Sequence, residues 1–428
     1  MSQGKKKKVG IIGLGYVGLP EMVEIAKSQK YNVVGFDIDK KKIDKIKKGV
    51  DPINDELVSK YLAKNKLEVS TQNKILSDCD YFIICVPTPI YDDYTPDYRP
   101  IESAAKIVGK YLKKGTCVVL ESTVNPGTCE EIVAPILEKE SGLKAGMDFN
   151  LAHCPERINP GDKKWNVTNI PRNIGSINQK LNKRVANFYR SFIKAEINQL
   201  RSLKVVEATK IVENTFRDIN IAYVNELAQS FDAMGINLIE TIEAAANKPF
   251  AFMPHWPGCG VGGHCIAVDP YYLIKRAKQD GFDHQFLKMS RQVNNSMPRY
   301  TVHKLMMALN KIGKSINGTK ITLLGLSYKA NIADLRESPA LEIKKELTKL
   351  GADLTCYDPY VPNEKVKNLK QAIKNSVAIV IAASHQEFID NLVVELKNSK
   401  VKMVVDGRNC IDKKEIEKLG IIYKGIGR

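Results

Sequence analysis

The chain has 428 residues, with 65 Lys and Arg against 48 Asp and Glu, a formal net charge of +17. At 43% apolar and 26% charged residues it is an ordinary folded composition and too apolar for a disordered chain, and its length suits two to four domains of roughly 100–200 residues. No apolar run nears the ~20 residues of a membrane helix. The lysine run at residues 5–8 has no apolar segment and cleavage site behind it, and the nine cysteines form no CxxC pair. A cytoplasmic chain with reduced thiols is expected, without a signal peptide, disulfide framework or zinc ribbon. Lysine is spread along the whole sequence without interleaved aromatics. That disfavours nucleic acid and suits small anions such as dinucleotides and nucleotide sugars.

In the first third, short β-branched runs alternate with helical patterns. Residues 9–14, 32–37, 81–86 and 117–121 read as buried strands, with 16–28, 101–112 and 129–138 as helices between them. Such alternation predicts a parallel sheet with helices on both faces. From Leu203 to Met234 there is no Pro or Gly, and apolar residues such as Val206, Ile211, Phe216, Val224 and Phe231 fall nearly all round. The pattern predicts one helix, about 48 Å long at ~1.5 Å per residue. A helix so apolar is expected to join domains or subunits, and a homodimer through it is predicted. Gly235 ends it, a Pro- and Gly-rich loop occupies 248–263, and helical patterns resume to about Lys314. Strand-like runs return at 320–325, 353–357, 377–382 and 402–405, with helices at 340–350 and 413–419. The expected domains are therefore α/β over 1–200, helical over 201–315 and α/β again over 316–428.

Gly13-Leu-Gly15-Tyr-Val-Gly18 is a GxGxxG sequence between a predicted strand and a predicted helix, and Asp37 closes the next strand. Each position has a physical purpose in holding a dinucleotide. Gly13 allows a tight turn, Gly15 lets a pyrophosphate approach the backbone, Gly18 lets helix pack on strand, and the helix N-terminus faces the phosphates. Tyr16 and Val17 lie in the same turn. Asp37 can accept both ribose hydroxyls and repels a 2′-phosphate, favouring NAD over NADP; Lys40, Lys41 and Lys42 soften that preference. Val86, Pro87, Thr88 and Thr123 end the third and fourth predicted strands, where a doubly wound sheet binds its ligands.

Four further groups carry chemistry. Glu156, Arg157 and Ile158 lie in Cys154-Pro-Glu-Arg-Ile-Asn-Pro-Gly161, where a carboxylate and a guanidinium can order a water and grip an anion, or simply form a surface ion pair. Lys210, Asn214 and Arg217 share one stripe of the long helix, which is either solvated or, if Lys210 enters a closed site, a donor to a developing oxyanion. Gly260-Val-Gly262-Gly-His264-Cys265 leads into Val-Asp269-Pro, placing Cys265 at a predicted helix start and Asp269 one turn on. A thiol beside a carboxylate suits covalent aldehyde oxidation, with Cys265 as nucleophile and Asp269 activating water. Cys259, His264 and Cys265 match no usual zinc spacing, so no metal is expected. In the last third, Tyr328 and Lys329 follow Gly325, and Lys329, Arg336 and Arg408 lie in predicted strand-end loops; three cations there suit a diphosphate, and the other reading of any one is a surface charge.

Taken together these segments resemble the UDP-glucose/GDP-mannose dehydrogenase family over nearly the whole chain. Within that family, Gly-Gly-His-Cys-Ile with Val-Asp-Pro, and the loop beginning Lys248-Pro-Phe, are most similar to the UDP-N-acetylhexosamine branch, nearest to UDP-N-acetylglucosamine 6-dehydrogenases. Lys42, where many members have Arg, and Cys259 depart from the pattern. The resemblance implies two Rossmann-like doubly wound domains joined by a helical domain that usually dimerises. It implies NAD-dependent four-electron oxidation of a UDP-sugar to its uronate, feeding surface polysaccharide or other glycan synthesis. It also implies the roles: Cys265 the nucleophile; Lys210 and Asn214 on the oxyanion; Asp269 and Thr123 on the water; and Glu156 in acid–base work. Arg157 and Arg217 would hold the sugar or its diphosphate, Lys329 and Arg408 the UDP, and Arg336 would reach the NAD. UDP-N-acetylgalactosamine, UDP-N-acetylmannosamine and UDP-glucose are the alternative substrates. A two-electron alcohol dehydrogenase on the same fold would need no thiol, and a non-catalytic dinucleotide-binding regulator would need neither Cys265 nor Lys210.

Overall fold

The computed structural model describes residues 6–91, 93–158, 164–263, 265–362 and 366–428. They form two compact units, Met1–Glu213 with Tyr271–Asp280, and Asn214–Pro270 with Gly281–Arg428.

The first unit is built on strands Lys8–Ile12 (β1), Asn32–Phe36 (β2), Glu68–Ser70 (β3), Tyr81–Ile84 (β4), Cys117–Leu120 (β5), Asn150–His153 (β6), Arg172–Ser176 (β7) and Ile197–Gln199 (β8), in the order β3-β2-β1-β4-β5-β6-β7-β8. The alternating side chains explain its layers. Ile11, Ile83 and Val119 join the core on one face, and Ile12, Ile84 and Leu120 join the core on the other. Both faces are covered, so these strands read as continuous apolar runs. β1 to β6 are parallel, but β7 returns antiparallel to β6 and β8 pairs parallel to β7. The expected all-parallel sheet is therefore mixed at this edge. Among the described residues between β6 and β7 there is no helix to carry the chain across, and a strand without a crossover comes back antiparallel.

Register sets the site. Ile12 is level with Phe36 and Ile84, Ile84 with Leu120, and Leu120 with His153. The next residues, Gly13, Asp37, Cys85, Glu121 and Cys154, thus form a row just past the carboxyl edge. The strand order reverses between β1 and β4, where such a sheet opens a crevice.

The predicted helix Leu203–Met234 is observed with the same bounds, running from the first unit into the second after Glu213. In the second unit the helix Gln285–Asn310 joins it through buried polar contacts. Arg291 donates to Asp218 at 2.5 Å, Asn294 to Asp218 at 2.8 Å, and Asn225 to Asn294 at 2.8 Å. The second sheet has strands Lys320–Leu324 (β9), Asp353–Tyr357 (β10), Ala378–Ile381 (β11), Met403–Asp406 (β12) and Ile422–Gly425 (β13), all parallel, ordered β10-β9-β11-β12-β13.

Candidate active site

The turn after β1 is held by backbone geometry only glycine provides. Gly13 has φ +92°, its N–H donates to Phe36 O at 2.9 Å, and a Cβ there would meet Cys85 O at 2.7 Å. A Cβ on Gly18 would lie 2.0 Å from Gly13 O, whereas one on Gly15 would meet nothing within 4 Å. Gly15 therefore leaves an open seat at the mouth of helix Gly18–Ser28, which fits a pyrophosphate. Tyr16 is exposed on this turn and Val17 half-buried. Asp37 is buried. Its Oδ2 accepts Leu14 N–H at 2.8 Å and the Lys42 ammonium at 2.6 Å, and its Oδ1 accepts Asp39 N–H at 2.9 Å.

At the neighbouring strand ends, Ser122 Oγ donates to Val86 O at 2.6 Å and the Tyr272 hydroxyl donates to Thr88 O. Thr88 is buried, Thr123 and Val86 half-buried, and Pro87 exposed. Glu156 turns inward. Its Oε1 accepts the N–H groups of Arg157 at 2.7 Å and Ile158 at 2.6 Å, and its Oε2 pairs with the fully buried Arg172. Arg157 instead forks onto Glu213, with Nη1 on Pro171 O at 3.0 Å. The alternative raised for Glu156 and Arg157, a surface ion pair with each other, is overturned: each has a different partner. On the long helix Lys210 is half-buried and Asn214 buried, while Arg217 is exposed.

In the second unit the Asn214 side chain donates to Asp269 Oδ2 at 2.5 Å. The Asp269 N–H donates to Cys265 O at 2.9 Å, closing one helical turn. The helix itself is Asp269–Gln279, so the expectation that Cys265 starts a helix is corrected. Cys265 lies in the turn before it and is exposed, and the Gly262–Gly263 backbone ahead of it is held in place. Gly263 has φ +85°, its N–H donates to Arg336 O at 3.0 Å, and a Cβ on it would strike the Tyr328 ring at 2.6 Å. A Cβ on Gly262 would meet Glu337 O at 2.5 Å. His264 and residues 159–161 of the Cys154–Gly161 motif lie outside the described residues.

Arg408 follows β12 and anchors the same glycine loop. Its Nε donates to Ala382 O at 2.8 Å, its Nη1 lies 3.5 Å from Gly260 O, and Gly258 N–H donates to Asn225 at 2.9 Å. Arg336 is exposed and forks onto Asp334, with Nη2 to Oδ2 at 2.6 Å. Tyr328 and Lys329 are half-buried on the loop after Gly325. That loop repeats the geometry after β1. Gly325 has φ +84° and donates to Tyr357 O at 2.8 Å, and Asp358 accepts Leu326 N–H at 2.7 Å. Here, however, buried Ser327 stands in the third position of the turn, donating to Asp358 at 2.9 Å, and His385 Nε2 lies 3.0 Å from the same carboxylate oxygen. The open seat of the first turn is thus filled by side chains in the second.

Residues that the sequence reading passed over include Glu21, Arg172 and Tyr189, all fully buried beside Glu121 and Glu156. No motif marks Glu21 or Tyr189, and Arg172 stands in a strand too irregular to be read as one.

A dinucleotide turn at the edge of one sheet, and a second parallel sheet with basic loops, define a two-sheet NAD-binding dehydrogenase. Comparison with known proteins then gives the family. Residues 7–193 match the NAD binding domain of the UDP-glucose/GDP-mannose dehydrogenase family, 204–296 its central domain, and 322–413 its UDP binding domain. The chain belongs to this family, an oxidoreductase that takes NAD as cofactor and a UDP-sugar as substrate. It is similar to the UDP-N-acetyl-D-glucosamine 6-dehydrogenase of Salmonella typhi, 39% identical over 389 residues, covering 89% of this chain and 90% of that protein. The structure of a UDP-D-ManNAc dehydrogenase from Pyrococcus horikoshii matches with TM-score 0.91 at 37% identity, over 98% of this chain and 99% of that one. An NDP-N-acetyl-D-galactosaminuronic acid dehydrogenase from Methanosarcina mazei Go1 matches with TM-score 0.84 at 34% identity, over 99% and 96%. Among the described residues no helix is long and apolar enough to cross a membrane.

Proposed function

We propose that this chain is a UDP-N-acetylhexosamine 6-dehydrogenase, with UDP-N-acetylglucosamine as its preferred substrate, oxidising C6 from alcohol to carboxylate through a covalent adduct on Cys265. The observation that carries the reading is the exposed Cys265 one turn before Asp269, with Asp269 oriented by Asn214. The names of the relatives support the N-acetylhexosamine class, and their different sugars leave gluco, galacto and manno substrates to be separated by assay.

NAD, when bound, supplies the hydride acceptor for each of the two oxidations. The first unit fits it: Gly13, Gly15, Tyr16, Val17 and Gly18 would line the pyrophosphate, Asp37 and Lys42 the ribose, and Val86, Pro87, Thr88 and Thr123 the nicotinamide end. Arg336 would complete the cofactor set. Glu156 takes part in acid–base work on the C6 alcohol, and Lys210 and Asn214 stabilise negative charge on its oxygen. The Cys265 thiolate adds to the aldehyde carbon to give a thiohemiacetal, whose oxidation leaves a thioester. Asp269 and Thr123 hold the water that attacks it, and the thiolate departs. Arg157, Ile158, Arg217, Gly262, Tyr328, Lys329 and Arg408 would grip the sugar and its diphosphate. In Arg157 and Arg336 that requires exchange of the Glu213 and Asp334 partners for substrate or cofactor.

The homodimer reading is supported in the second unit by exposed Phe216, Tyr223, Phe252 and Met253, which line a cavity of about 450 Å³ with His255. A cytoplasmic location accords with a UDP-sugar substrate and nine cysteines without a disulfide. The test is a panel of UDP-N-acetylglucosamine, its galacto and manno epimers, and UDP-glucose with NAD. Two NADH per sugar and the highest kcat/KM for UDP-N-acetylglucosamine are expected. A better kcat/KM for UDP-glucose would move the enzyme out of this branch, and light scattering showing a monomer at micromolar concentration would remove the dimer.

A further inference from the structure

The carboxyl edge of the first sheet hides more charge than the reaction described above uses. Arg172, on β7, is fully buried and bridges two carboxylates. It pairs with Glu156 Oε2 and lies 3.8 Å from Glu121 Oε2. Glu121 Oε1 accepts the Tyr189 hydroxyl at 2.5 Å. A third carboxyl, Glu21 in the first turn of helix Gly18–Ser28, is fully buried, and Glu21, Glu121 and Cys85 bring ligand atoms within 4.8 Å of one another. Three carboxyls and one guanidinium would leave a charge of −2 sealed from water if all were ionised, an arrangement a protein interior relieves by keeping a proton. Cys85 and Cys154 are neutral thiols there, because burial raises both, and Lys210 is the second cation acting on Glu156.

We propose that Arg172 and Glu21 are positioning residues for Glu156: the Arg172 guanidinium, paired with Oε2, fixes the direction of its carboxylate, and Glu21 keeps the proton that the cluster must hold, leaving Glu156 as the member that exchanges protons with the site. The inference rests on the acid–base role read for Glu156. Burial, then the charge of Glu121, push Glu21 well above the usual carboxylate range. Glu156 is also raised, by burial and by Glu121, but Arg172, the Arg157 N–H and Lys210 oppose the shift, whereas of these only Arg172 opposes the one on Glu21. The division of labour thus follows from which carboxyl touches the guanidinium.

Two measurements on the full-length enzyme test this. In the first, 13C-labelled glutamate side chains are titrated by NMR, with Glu21→Gln used to assign the signal. One carboxyl should titrate well above the usual carboxylate range, and Glu21→Gln should abolish that signal while leaving the acid limb of kcat/KM within about 0.3 pH unit of wild type. The titration itself needs no turnover, so it stands or falls apart from the substrate reading. In the second, Arg172→Lys keeps a cation but loses the planar guanidinium that reaches both Glu156 and Glu121. The acid limb of kcat/KM should then move up by about one unit and kcat fall about tenfold, with NAD affinity within about twofold. If Arg172→Lys does not fold, the Glu21→Gln titration alone decides. Absence of a carboxyl titrating well above the usual carboxylate range, or an unmoved acid limb in folded Arg172→Lys, overturns the proposal.

Discussion

The Lys42 ammonium lies 2.6 Å from Asp37 Oδ2, on the same oxygen that accepts the Leu14 N–H. The carboxylate proposed to select the cofactor is therefore partly neutralised by its own neighbour. A bare Asp37 would repel a 2′-phosphate strongly; a paired one repels it less. Asp37→Ala should narrow the preference for NAD over NADP. Lys42→Ala should widen it, by about three- to tenfold in the ratio of kcat/KM values. A wider ratio in Asp37→Ala, or a narrower one in Lys42→Ala, would show that another group selects the cofactor.

Cys265→Ala removes the proposed nucleophile and leaves the Asn214–Asp269 pair in place. It should bind NAD and UDP-sugar as wild type does but form no uronate in steady state, with any turnover stopping near one NADH per sugar and a trappable aldehyde. Lys210→Ala should slow both oxidations, since a lost oxyanion donor typically costs ~10²–10³ in kcat. Wild-type rates with two NADH per sugar in Cys265→Ala would rule out the covalent route.

Thiol chemistry offers an independent check. Burial pushes the Cys79 thiol up to about 12 and Cys117 up to about 11, and it raises Cys129, Cys154 and Cys259 as well. Cys265 is the exposed one of the nine. Iodoacetamide at neutral pH should modify Cys265 first, and activity should be lost in step with the first adduct found by peptide mass spectrometry. First labelling at another cysteine, with activity retained, would contradict the assignment.

His153, at the end of β6, is fully buried, and burial pushes its pKa down to about 3. In the unfolded chain it titrates near ~6.5. Between these values only the unfolded state takes up the proton, so this residue lowers stability as pH falls below about 6.5, by about 1.4 kcal/mol per unit. On going from pH 7 to pH 5, urea unfolding should show wild type losing about 2 kcal/mol more than His153→Leu. Parallel pH profiles for the two proteins would mean the native imidazole accepts its proton normally.

The parts legible in sequence were those in which local chemistry and tertiary demand agree. The Gly13 turn is marked by glycines that backbone geometry requires, and Leu203–Met234 by an unbroken run of helix formers. β7 was not legible: Arg172-Asn-Ile-Gly-Ser reads as a polar turn, and it becomes a strand because β6 and β8 supply its hydrogen bonds. Glu21 was invisible for a related reason. A glutamate in a helix is ordinarily solvated, and its burial follows from Glu121, Cys85 and Arg172 arriving from distant segments. The start of the helix after Cys265 was misplaced because Pro270 at its second position, rather than the thiol, marks where helical geometry begins.

The two glycine turns are each tied to an aspartate on the neighbouring strand, Leu14 to Asp37 and Leu326 to Asp358. Each turn is therefore shaped by its own sheet. A dinucleotide arriving at the first meets a backbone already held by Asp37 and Phe36, so little conformational entropy is lost in ordering it. The second turn shows the same independence from the other side. It keeps its form with Ser327 and His385 filling the seat, so the turn's geometry does not depend on a ligand in it.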